Sequence, residues 1–276
     1  MTPDGEPLDI EVRLLLEAIY AKYGYDLRDY APSSMRRRVL AALAKSGLGH
    51  LGDLQHRLLR DPALFSQVLE DLTVRVSNMF RDPGFYQSFR ARVLPVLRTY
   101  PLLNIWHAGC ATGEEVYASA IVLTEEGLYD RAQIYATDLS PGAIEHAKEG
   151  VYTATQLVSF VQNYEKAGGT ADFDTYYTKA YDRIAMRESL RKNVLFFQHN
   201  LVSDHVFAEM NVVFCRNVLI YFGENLREKV LRKFAQSLCP GGFLCLGSSE
   251  HLGGTGEEAR NFAEFAAEER IFRHEA

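Results

Sequence analysis

Residues 105–115 contain a glycine-bearing turn followed by two adjacent carboxylates, in the order IWHAGCATGEE. An apolar run enters this turn and an amphipathic stretch leaves it, an arrangement in which a nucleotide-type ligand can approach the backbone closely. The glycines do not complete a G-x-G-x-x-G fingerprint. Glu114 and Glu115 would repel a pyrophosphate and favour an ammonium group, as in S-adenosylmethionine, unless they only complement the helix dipole.

Polar residues also follow the later apolar runs, at positions typical of ligand contacts. Asp138 closes the second run, where a carboxylate can accept two hydrogen bonds from a ribose; an N-cap for the next helix is the alternative. Asn200 and Leu201 follow the third run, and Arg216 and Asn217 follow the fourth. Because parallel strands end at one edge of a sheet, we expect these residues to lie together. There Asn200 would contact the edge of an adenine and Leu201 its ring.

A parallel α/β sheet would bring these residues together, and the second part of the chain has the pattern of one. Short apolar runs alternate there with amphipathic stretches, which is typical of strands joined by crossover helices. The predicted strands are 102–107, 133–137, 194–198, 211–215 and 242–247. The predicted helices are 114–125, 141–148 and 225–238. The polar, tyrosine-rich stretch 150–193 interrupts this alternation and predicts an inserted subdomain.

Residues 1–80 have helical spacing instead. Apolar positions recur at that spacing in four stretches, and Asp61 with Pro62 predicts an N-cap and a first-turn proline for the fourth. Four short helices can bury one another, so we expect a small bundle. We therefore predict a helical domain over 1–80, a linker to about 95, and an α/β domain over 96–276.

Composition excludes several classes of protein. Lys and Arg total 30 against 36 Asp and Glu, and the net charge of -6 argues against a dedicated nucleic-acid binder. No apolar run approaches the ~18 residues that span a membrane, and the N-terminus lacks a signal-peptide pattern. The four cysteines show no zinc-site spacing and are expected to be reduced core thiols of a cytoplasmic protein: Cys110, Cys215, Cys239 and Cys245.

Several motifs together resemble the CheR-type protein-glutamate O-methyltransferases of bacterial chemosensory systems. The resemblance covers nearly the whole chain in the expected order, and the motif C-R-N-V-x-I-Y-F is highly specific. The matching segments are 73–83, 108–115, 135–138, 199–201 and 215–222. The resemblance implies a helical N-terminal domain that docks substrate, then a Rossmann-like domain for S-adenosylmethionine (SAM) with a small β subdomain inserted at 150–193.

The resemblance also implies roles for individual residues. Glu115 would face the methionine moiety and Asp138 would hold the ribose. Arg81 and Tyr221 would be catalytic, with Tyr221 beside the transferred methyl group. The cofactor contacts that it implies are Ser77, Arg81, Glu115, Asp138, Asn200, Leu201, Arg216 and Asn217.

Three residues depart from the pattern of the family. Arg75 stands where Asn is common, Ser77 replaces the commoner Thr, and Met79 replaces a Phe. These departures concern the segment that covers the cofactor and leave the predicted cofactor unchanged.

Arg36, Arg37 and Arg38 form a basic run within a nearly neutral region, since residues 1–80 contain 10 basic and 11 acidic residues. Such a run usually marks a solvated helix face, and burial is not expected. The resemblance suggests a docking surface for the acidic methylation helices of a chemoreceptor, with Arg57 and Arg60 as contributors. Nucleic-acid binding is the less favoured alternative.

The implied chemistry is the attack of a glutamate carboxylate on the sulfonium methyl of SAM, which gives a 5-O-methyl ester and S-adenosylhomocysteine. A glutamate with an ordinary pKa of about 4.3 is ionised at pH 7, so neither a general base nor a metal is required. We therefore expect a cytoplasmic, monomeric SAM-dependent methyltransferase that acts on a chemoreceptor in chemosensory adaptation, without inserting into the membrane. A non-catalytic SAM- or nucleotide-responsive adaptor and a small-carboxylate methyltransferase are the alternatives.

Overall fold

The computed structural model describes residues 5–73, 77–252 and 257–275. The chain divides into two compact units, each with most of its contacts within itself. Unit 1 comprises Met1–Val74 and Ile220–Lys229, and unit 2 comprises Arg75–Leu219 and Val230–Ala276. The predicted helical and α/β regions both form, so the predicted fold class is confirmed.

Unit 1 contains the four predicted helices, which are α1 (Gly5–Tyr23), α2 (Pro32–Ser46), α3 (Leu51–Leu58) and α4 (Pro62–Leu72). Asp61 caps α4 as predicted, because its carboxylate accepts hydrogen bonds from the backbone N–H groups of Ala63 and Leu64. The apolar faces of the helices form a buried core that includes Leu15, Ile19, Val39, Leu54 and Leu69.

The second segment of unit 1 pairs with the loop between α1 and α2. The backbone N–H of Ala31 donates to the carbonyl of Tyr221 at 2.8 Å, and that of Gly223 donates to the carbonyl of Asp29 at 2.8 Å. Between these hydrogen bonds, the rings of Tyr30 and Phe222 meet edge to face with centroids 5.0 Å apart. A segment that follows a strand of the sheet in sequence is therefore part of the helical unit.

Unit 2 is built on a seven-stranded mixed sheet with the order β6-β2-β1-β7-β8-β10-β9. Strands β6 to β8 in this order are parallel, and β10 and β9 are antiparallel. All five predicted strands form, and the sequence missed β9 and β10. The strands of unit 2 are β1 (Leu103–Ala108), β2 (Ala132–Asp138), β3 (Val151–Thr153), β4 (Tyr177–Ala180), β5 (Arg183–Met186), β6 (Val194–Gln198), β7 (Met210–Cys215), β8 (Leu238–Leu246), β9 (Phe262–Ala266) and β10 (Ile271–His274).

The remaining helices are α5 (Pro83–Ser88), α6 (Leu94–Leu97), α7 (Glu114–Glu125), α8 (Pro141–Glu149), α9 (Ala154–Lys166) and α10 (Glu224–Ser237), with a π-helical turn at Phe89–Val93. Short 3-10 turns occur at Tyr129–Arg131, Phe173–Tyr176, Glu188–Leu190, Leu219–Tyr221 and Glu257–Asn261. Helix α7 has the bounds that the sequence predicted. Helix α10 begins in unit 1 and ends in unit 2. Within the described ranges, no helix is both long enough and apolar enough to cross a membrane.

The insertion predicted between the second and third parallel strands contains a three-stranded antiparallel sheet with the order β3-β5-β4. It also contains α9, which the sequence analysis missed. Tyr164 of α9 and Tyr176 both donate their hydroxyls to the carboxylate of Glu125 at the end of α7. These bonds connect two segments of the insertion to α7, and all of these residues lie in unit 2.

Candidate functional site

The parallel strands of unit 2 end at one edge of the sheet, and the strand order reverses between the neighbours β1 and β7. Ligands of open α/β sheets bind at such a switch point, outside the carboxyl ends of the strands. The loops after β1 and β7 are so close that a Cβ atom on Gly109 would lie 2.6 Å from Cγ2 of Val218. Gly109 also has a φ of +80°, so both the space and the backbone require glycine. We call residues 109–115, 138, 216–218 and 250 the cofactor edge.

Asp138 ends β2 with its carboxylate fixed by the main chain. Oδ2 accepts a hydrogen bond from the backbone N–H of Ala111 at 2.9 Å, and Oδ1 accepts one from that of Ser140 at 2.9 Å. These two bonds with main-chain donors orient the carboxylate. Ser140 caps α8 through its own hydroxyl, so the alternative N-cap role of Asp138 is wrong.

Glu115 is held between two cationic or hydrogen-bonding neighbours. Its Oε1 lies 3.1 Å from Nδ1 of His107, and its Oε2 accepts a hydrogen bond from Nη1 of Arg216 at 2.9 Å. Burial by itself would raise the pKa of Glu115, but the hydrogen bond with His107 and the charge of Arg216 outweigh it, so the pKa is lowered. His107 is fully buried and its ring stacks on that of Phe214. Glu115 is therefore ionised at neutral pH.

Arg216 connects the loop after β7 to two other segments of unit 2. Besides Glu115, its guanidinium donates to the carboxylate of Asp82 at 2.9 Å and to the backbone carbonyl of Arg81 at 3.2 Å. Its side chain is only 2% exposed, and its guanidinium carbon lies 4.1 Å from the ring centroid of Phe85. Because two carboxylates neutralise this buried cation, Arg216 can fix the positions of the start of α7 and the start of α5.

Glu114 lies in a different environment from its neighbour Glu115. It is 2% exposed, and the hydroxyl of Thr112 donates to its Oε2 at 2.7 Å. Ser77 also hydrogen-bonds to this carboxylate. Burial raises the pKa of Glu114, although these hydrogen bonds act in the opposite direction. The pKa values of the two adjacent glutamates are therefore shifted in opposite directions.

Cys110 occupies the middle of the glycine turn and is buried. Burial raises the pKa of its thiol well above normal, and the negative charges of Asp138, Glu115 and Glu114 add to this effect. The thiol is neutral at neutral pH. Three carboxylates thus surround the turn, which disfavours an anionic ligand. Among the described residues, no group of three or more His, Cys, Asp or Glu side chains is arranged to hold a metal ion.

The loop after β6 is shaped by its own hydrogen bonds. The side-chain oxygen of Asn200 accepts from the backbone N–H of Val202 at 2.9 Å, and the backbone N–H of Asn200 donates to Asp204 at 2.8 Å. The carbonyl of Leu201 accepts from Nζ of Lys233 at 2.6 Å. Asn200 and Leu201 are both half-buried at the predicted edge of the sheet.

Glu250 is a residue of the cofactor edge that the sequence reasoning missed. Its buried carboxylate accepts hydrogen bonds from the backbone N–H groups of Asn217 and Val218, both at 2.8 Å, and of Gly247 at 2.6 Å. Asn217 has a φ of +63°, a conformation that this carboxylate supports. Glu250 could have been predicted from the sequence, because it lies shortly after the fifth parallel strand, at the edge of the sheet where Asp138 ends the second.

The segment before α5 carries Arg81 and the three departures from the family pattern. Arg81 is exposed and lies between two residues with positive φ, Phe80 at +53° and Asp82 at +57°. Non-glycine residues in this region store strain, which often occurs in functional loops. Met79 is fully buried, and Arg75 lies outside the described residues.

Tyr221 belongs to unit 1, whereas the predicted site residues from Ser77 to Asn217 belong to unit 2. Within unit 1, the guanidinium carbon of Arg38 lies 4.4 Å from the ring centroid of Tyr221. Spacing along the chain does not predict this contact, because the two residues are far apart in sequence.

The structure corrects the prediction that the basic run of α2 is exposed throughout. Arg37 is exposed, and Arg36 pairs with Asp9 at 3.1 Å on the surface. Arg38 is 8% exposed, and its Nη1 donates to the backbone carbonyl of Leu72 at 2.7 Å. Successive helical residues are rotated by about 100°, so a run of three cannot lie wholly on one exposed face.

Comparison with known proteins matches both parts of the chain to domains of one family. Residues 75–267 match the CheR methyltransferase SAM-binding domain, and residues 10–73 match the CheR methyltransferase all-alpha domain. A Pseudomonas putida KT2440 relative, provisionally named methyltransferase Cher3, is 48% identical over 265 residues, which are 96% of this chain and 97% of that protein.

Two further relatives are named chemotaxis protein methyltransferases. Cher2 of Pseudomonas putida KT2440 is 30% identical over 263 residues, with 90% of this chain and 91% of that protein covered. The protein of Listeria monocytogenes EGD-e is 29% identical over 254 residues, with 91% and 93% covered. The chain belongs to the CheR methyltransferase family, with the all-alpha domain of that family followed by its SAM-binding domain.

Proposed function

We propose that this chain transfers methyl groups from SAM to glutamate side chains of a chemoreceptor-like protein, in chemosensory adaptation. The products are glutamate 5-O-methyl esters and S-adenosylhomocysteine. The observation that best supports this proposal is the ordered pair of carboxylates at the switch point, Asp138 and Glu115, in a chain of the CheR family. The relatives named as chemotaxis protein methyltransferases support a chemoreceptor as substrate. The buried free cysteines support a cytoplasmic location.

SAM fits the charge of the cofactor edge. Its ammonium and sulfonium groups are cationic, and the glycine turn is surrounded by three carboxylates. When bound, SAM supplies an electrophilic methyl group on its sulfonium sulfur. The residues that we assign to its binding are Ser77, Arg81, Glu115, Asp138, Asn200, Leu201, Arg216 and Asn217.

Asp138 and Glu115 would act by being oriented before the cofactor arrives. Backbone N–H groups fix the carboxylate of Asp138, which suits it to accept hydrogen bonds from the ribose hydroxyls. The contacts of Glu115 with His107 and Arg216 keep its carboxylate ionised, which suits it to pair with an ammonium group. Holding two reactants in a productive orientation can lower a barrier by ~7–11 kcal/mol.

Proton transfer is not required of this chain, because the substrate glutamate is already ionised at neutral pH. Arg81 is exposed, and its guanidinium can hold a carboxylate through two parallel N–H donors. Tyr221 would line the path of the methyl group and donate its hydroxyl there. Both roles follow from the family resemblance and from the positions of these residues in the motifs that carry it.

A surface of unit 1 would contact the receptor. We assign this docking face to Arg36 and Arg37, with Arg57 and Arg60, all on or directly after α2 and α3. Arg38 is removed from this surface because its side chain is buried. Exposed guanidinium groups suit the recognition of an acidic helix.

The test is methylation with methyl-labelled SAM and membranes from the source organism. We expect a base-labile label on a receptor-sized band, and we expect Tyr221→Phe to bind S-adenosylhomocysteine normally but to lose turnover. A label that resists base would contradict an ester product. Labelled small molecules with an unlabelled protein fraction would contradict a receptor substrate, and cofactor binding with no label in any fraction would contradict an enzymatic role.

A further inference from the structure

Unit 1 holds both the backbone and the side chain of Tyr221. The backbone hydrogen bonds of Ala31 and Gly223 fix the segment that carries Tyr221 against the loop before α2. The guanidinium of Arg38 lies over the ring, with 4.4 Å between the guanidinium carbon and the ring centroid. The backbone of the tyrosine is therefore fixed, and a cation contacts its ring.

Arg38 is itself anchored. Its Nη1 donates to the backbone carbonyl of Leu72 at 2.7 Å, where that carbonyl lies in the last turn of α4. Carbonyls at the end of a helix have no partner within the helix, so this bond satisfies a group that would otherwise be exposed or orphaned. Burial lowers the pKa of Arg38, whereas the neighbouring Tyr221 and Tyr30 act to raise it. An arginine stays charged in proteins, so the group that lies over the ring of Tyr221 is a cation.

Arg38 differs from the two arginines that precede it. Arg37 is exposed and Arg36 forms a surface ion pair, so both are accessible to a partner. The guanidinium of Arg38 instead joins α4 to Tyr221, two parts of unit 1 that are distant in sequence. A side chain with both of these contacts cannot dock a receptor without breaking them.

We propose that Arg38 is a positioning residue for Tyr221, and this inference rests on the proposed function for the role of the tyrosine. A planar guanidinium can stack on an aromatic ring while it donates a hydrogen bond to a carbonyl, and it thereby restricts the rotation and displacement of the ring. Lysine lacks the planar group and cannot make both contacts. The helical unit of this chain therefore fixes a catalytic side chain in addition to presenting a docking face.

Steady-state kinetics of Arg38→Lys in the full chain provide the first test. We expect kcat to fall about 10- to 100-fold, since a small displacement of a reacting group has such an effect, while KM for the receptor and the affinity for S-adenosylhomocysteine stay near wild type. The matched control is Arg13→Lys on the exposed face of α1, which should leave all three values unchanged. A salt-dependent rise in the receptor KM at unchanged kcat would show that Arg38 docks the receptor, and would overturn the inference.

A double-mutant cycle tests whether Arg38 acts through Tyr221. If it does, Arg38→Lys should reduce kcat far less in a Tyr221→Phe background than in wild type, because the hydroxyl that it positions is already absent. Losses that multiply independently would contradict a positioning role. Thermal unfolding of every variant is measured in parallel. If Arg38→Lys does not fold, Arg38→Gln, which keeps N–H donors for Leu72 and removes the cation, enters the same cycle.

A spectroscopic readout separates this inference from the proposed function. The full chain, with its 15 tyrosines replaced by 3-fluorotyrosine, gives ¹⁹F resonances among which Tyr221→Phe identifies one. We expect Arg38→Lys to shift or broaden that resonance and Arg13→Lys to leave it unchanged. This result does not depend on methylation, so it can hold even if no receptor is methylated. An unchanged Tyr221 resonance in Arg38→Lys would overturn the inference even if wild type methylates its receptor normally.

Discussion

The cofactor edge of unit 2 and the basic surface of unit 1 hold their charged side chains in different ways. Asp138 and Glu250 each accept hydrogen bonds from two or more main-chain N–H groups, so the fold itself fixes their orientation. Arg36 instead contacts an exposed carboxylate, that of Asp9, through a long and flexible side chain. A group fixed before binding loses little entropy when a ligand arrives, whereas an exposed arginine must be ordered by its partner.

This difference indicates what each region is suited to bind. A small cofactor needs a few groups at fixed positions, which the cofactor edge provides. A protein partner that offers acidic side chains at variable positions is better served by mobile cations, at the cost of sensitivity to salt. Substitutions in the two regions should therefore differ in size and in their response to ionic strength.

The largest effect is expected from Asp138→Ala. The ribose loses a charged acceptor, and we expect the affinity for S-adenosylhomocysteine to fall by about 2 kcal/mol or more, which is about 30-fold. Titration calorimetry measures this directly. Asp130→Ala is the matched control, because its carboxylate is 89% exposed and pairs only with a surface lysine, Lys192, in the contacts seen for it. Equal affinities of Asp138→Ala and wild type would remove Asp138 from the cofactor site.

Glu250→Gln tests the support behind the cofactor edge. An amide keeps one acceptor oxygen but replaces the other with a donor that faces N–H groups, so the free energy of unfolding should fall by about 1–2 kcal/mol. Because the loop that carries Asn217 loses its support, we expect the cofactor affinity to fall as well. Denaturant unfolding and calorimetry give the two values. Glu268→Gln, at an exposed position in unit 2, should change neither. Wild-type affinity in a destabilised Glu250→Gln would limit Glu250 to a structural role.

The two glutamates at the start of α7 should give opposite responses to pH. The folded pKa of Glu115 is lowered, through its hydrogen bond with His107 and the charge of Arg216 against the effect of burial, so its contribution to stability is present above its ordinary pKa of 4.5. That contribution is lost as the pH falls through the folded pKa. The folded pKa of Glu114 is raised by burial, so its contribution is present at low pH and is lost as the pH rises through the folded value.

Melting temperatures as a function of pH test this contrast. As the pH is lowered from neutral, Glu115→Gln should remove part of the loss of stability that wild type shows in acid, while Glu114→Gln should steepen that loss relative to wild type. Parallel pH profiles for both variants would show that the two carboxylates titrate alike, contrary to their different surroundings in the structure.

The smallest effect on affinity is expected from the docking face. Exposed charge pairs contribute about 0.2–1 kcal/mol each, so Arg36→Glu with Arg37→Glu should raise the apparent KM for receptor membranes modestly and leave the cofactor affinity unchanged. The effect should shrink as salt rises, since the Debye length is ~10 Å at 0.1 M. Arg13→Glu on α1 is the control for net charge. Normal receptor methylation by the double variant at low salt would leave these arginines as a solvated helix face.

Local patterns in the sequence determined the secondary structure well where an element has a continuous apolar run or a regular amphipathic pattern. Helix α7 and strand β6 have the predicted bounds, and the Asp61 cap forms as expected. Caps and hydrophobic periodicity act between residues that are close in sequence, so a single sequence displays them. Strand β6 contains four consecutive apolar residues, VLFF, whereas Glu264 interrupts β9 and only the first two residues of β10 are apolar. Strands β9 and β10 therefore lack the apolar run that predicts a buried strand.

The sequence by itself also predicted which strand ends contribute to the cofactor edge, since polar residues after parallel strands must meet where those strands end. Only the tertiary structure decided what the buried charged residues contact. Helical spacing places Arg38, unlike Arg37, on the face of α2 that carries Met35 and Ala42, but its contacts with Leu72 and Tyr221 appear only in the fold. Glu250 likewise meets the backbone N–H groups of Asn217 and Val218 only because β8 lies beside β7. Contacts of this kind depend on neighbours that are distant in the chain, and no pattern of spacing records them.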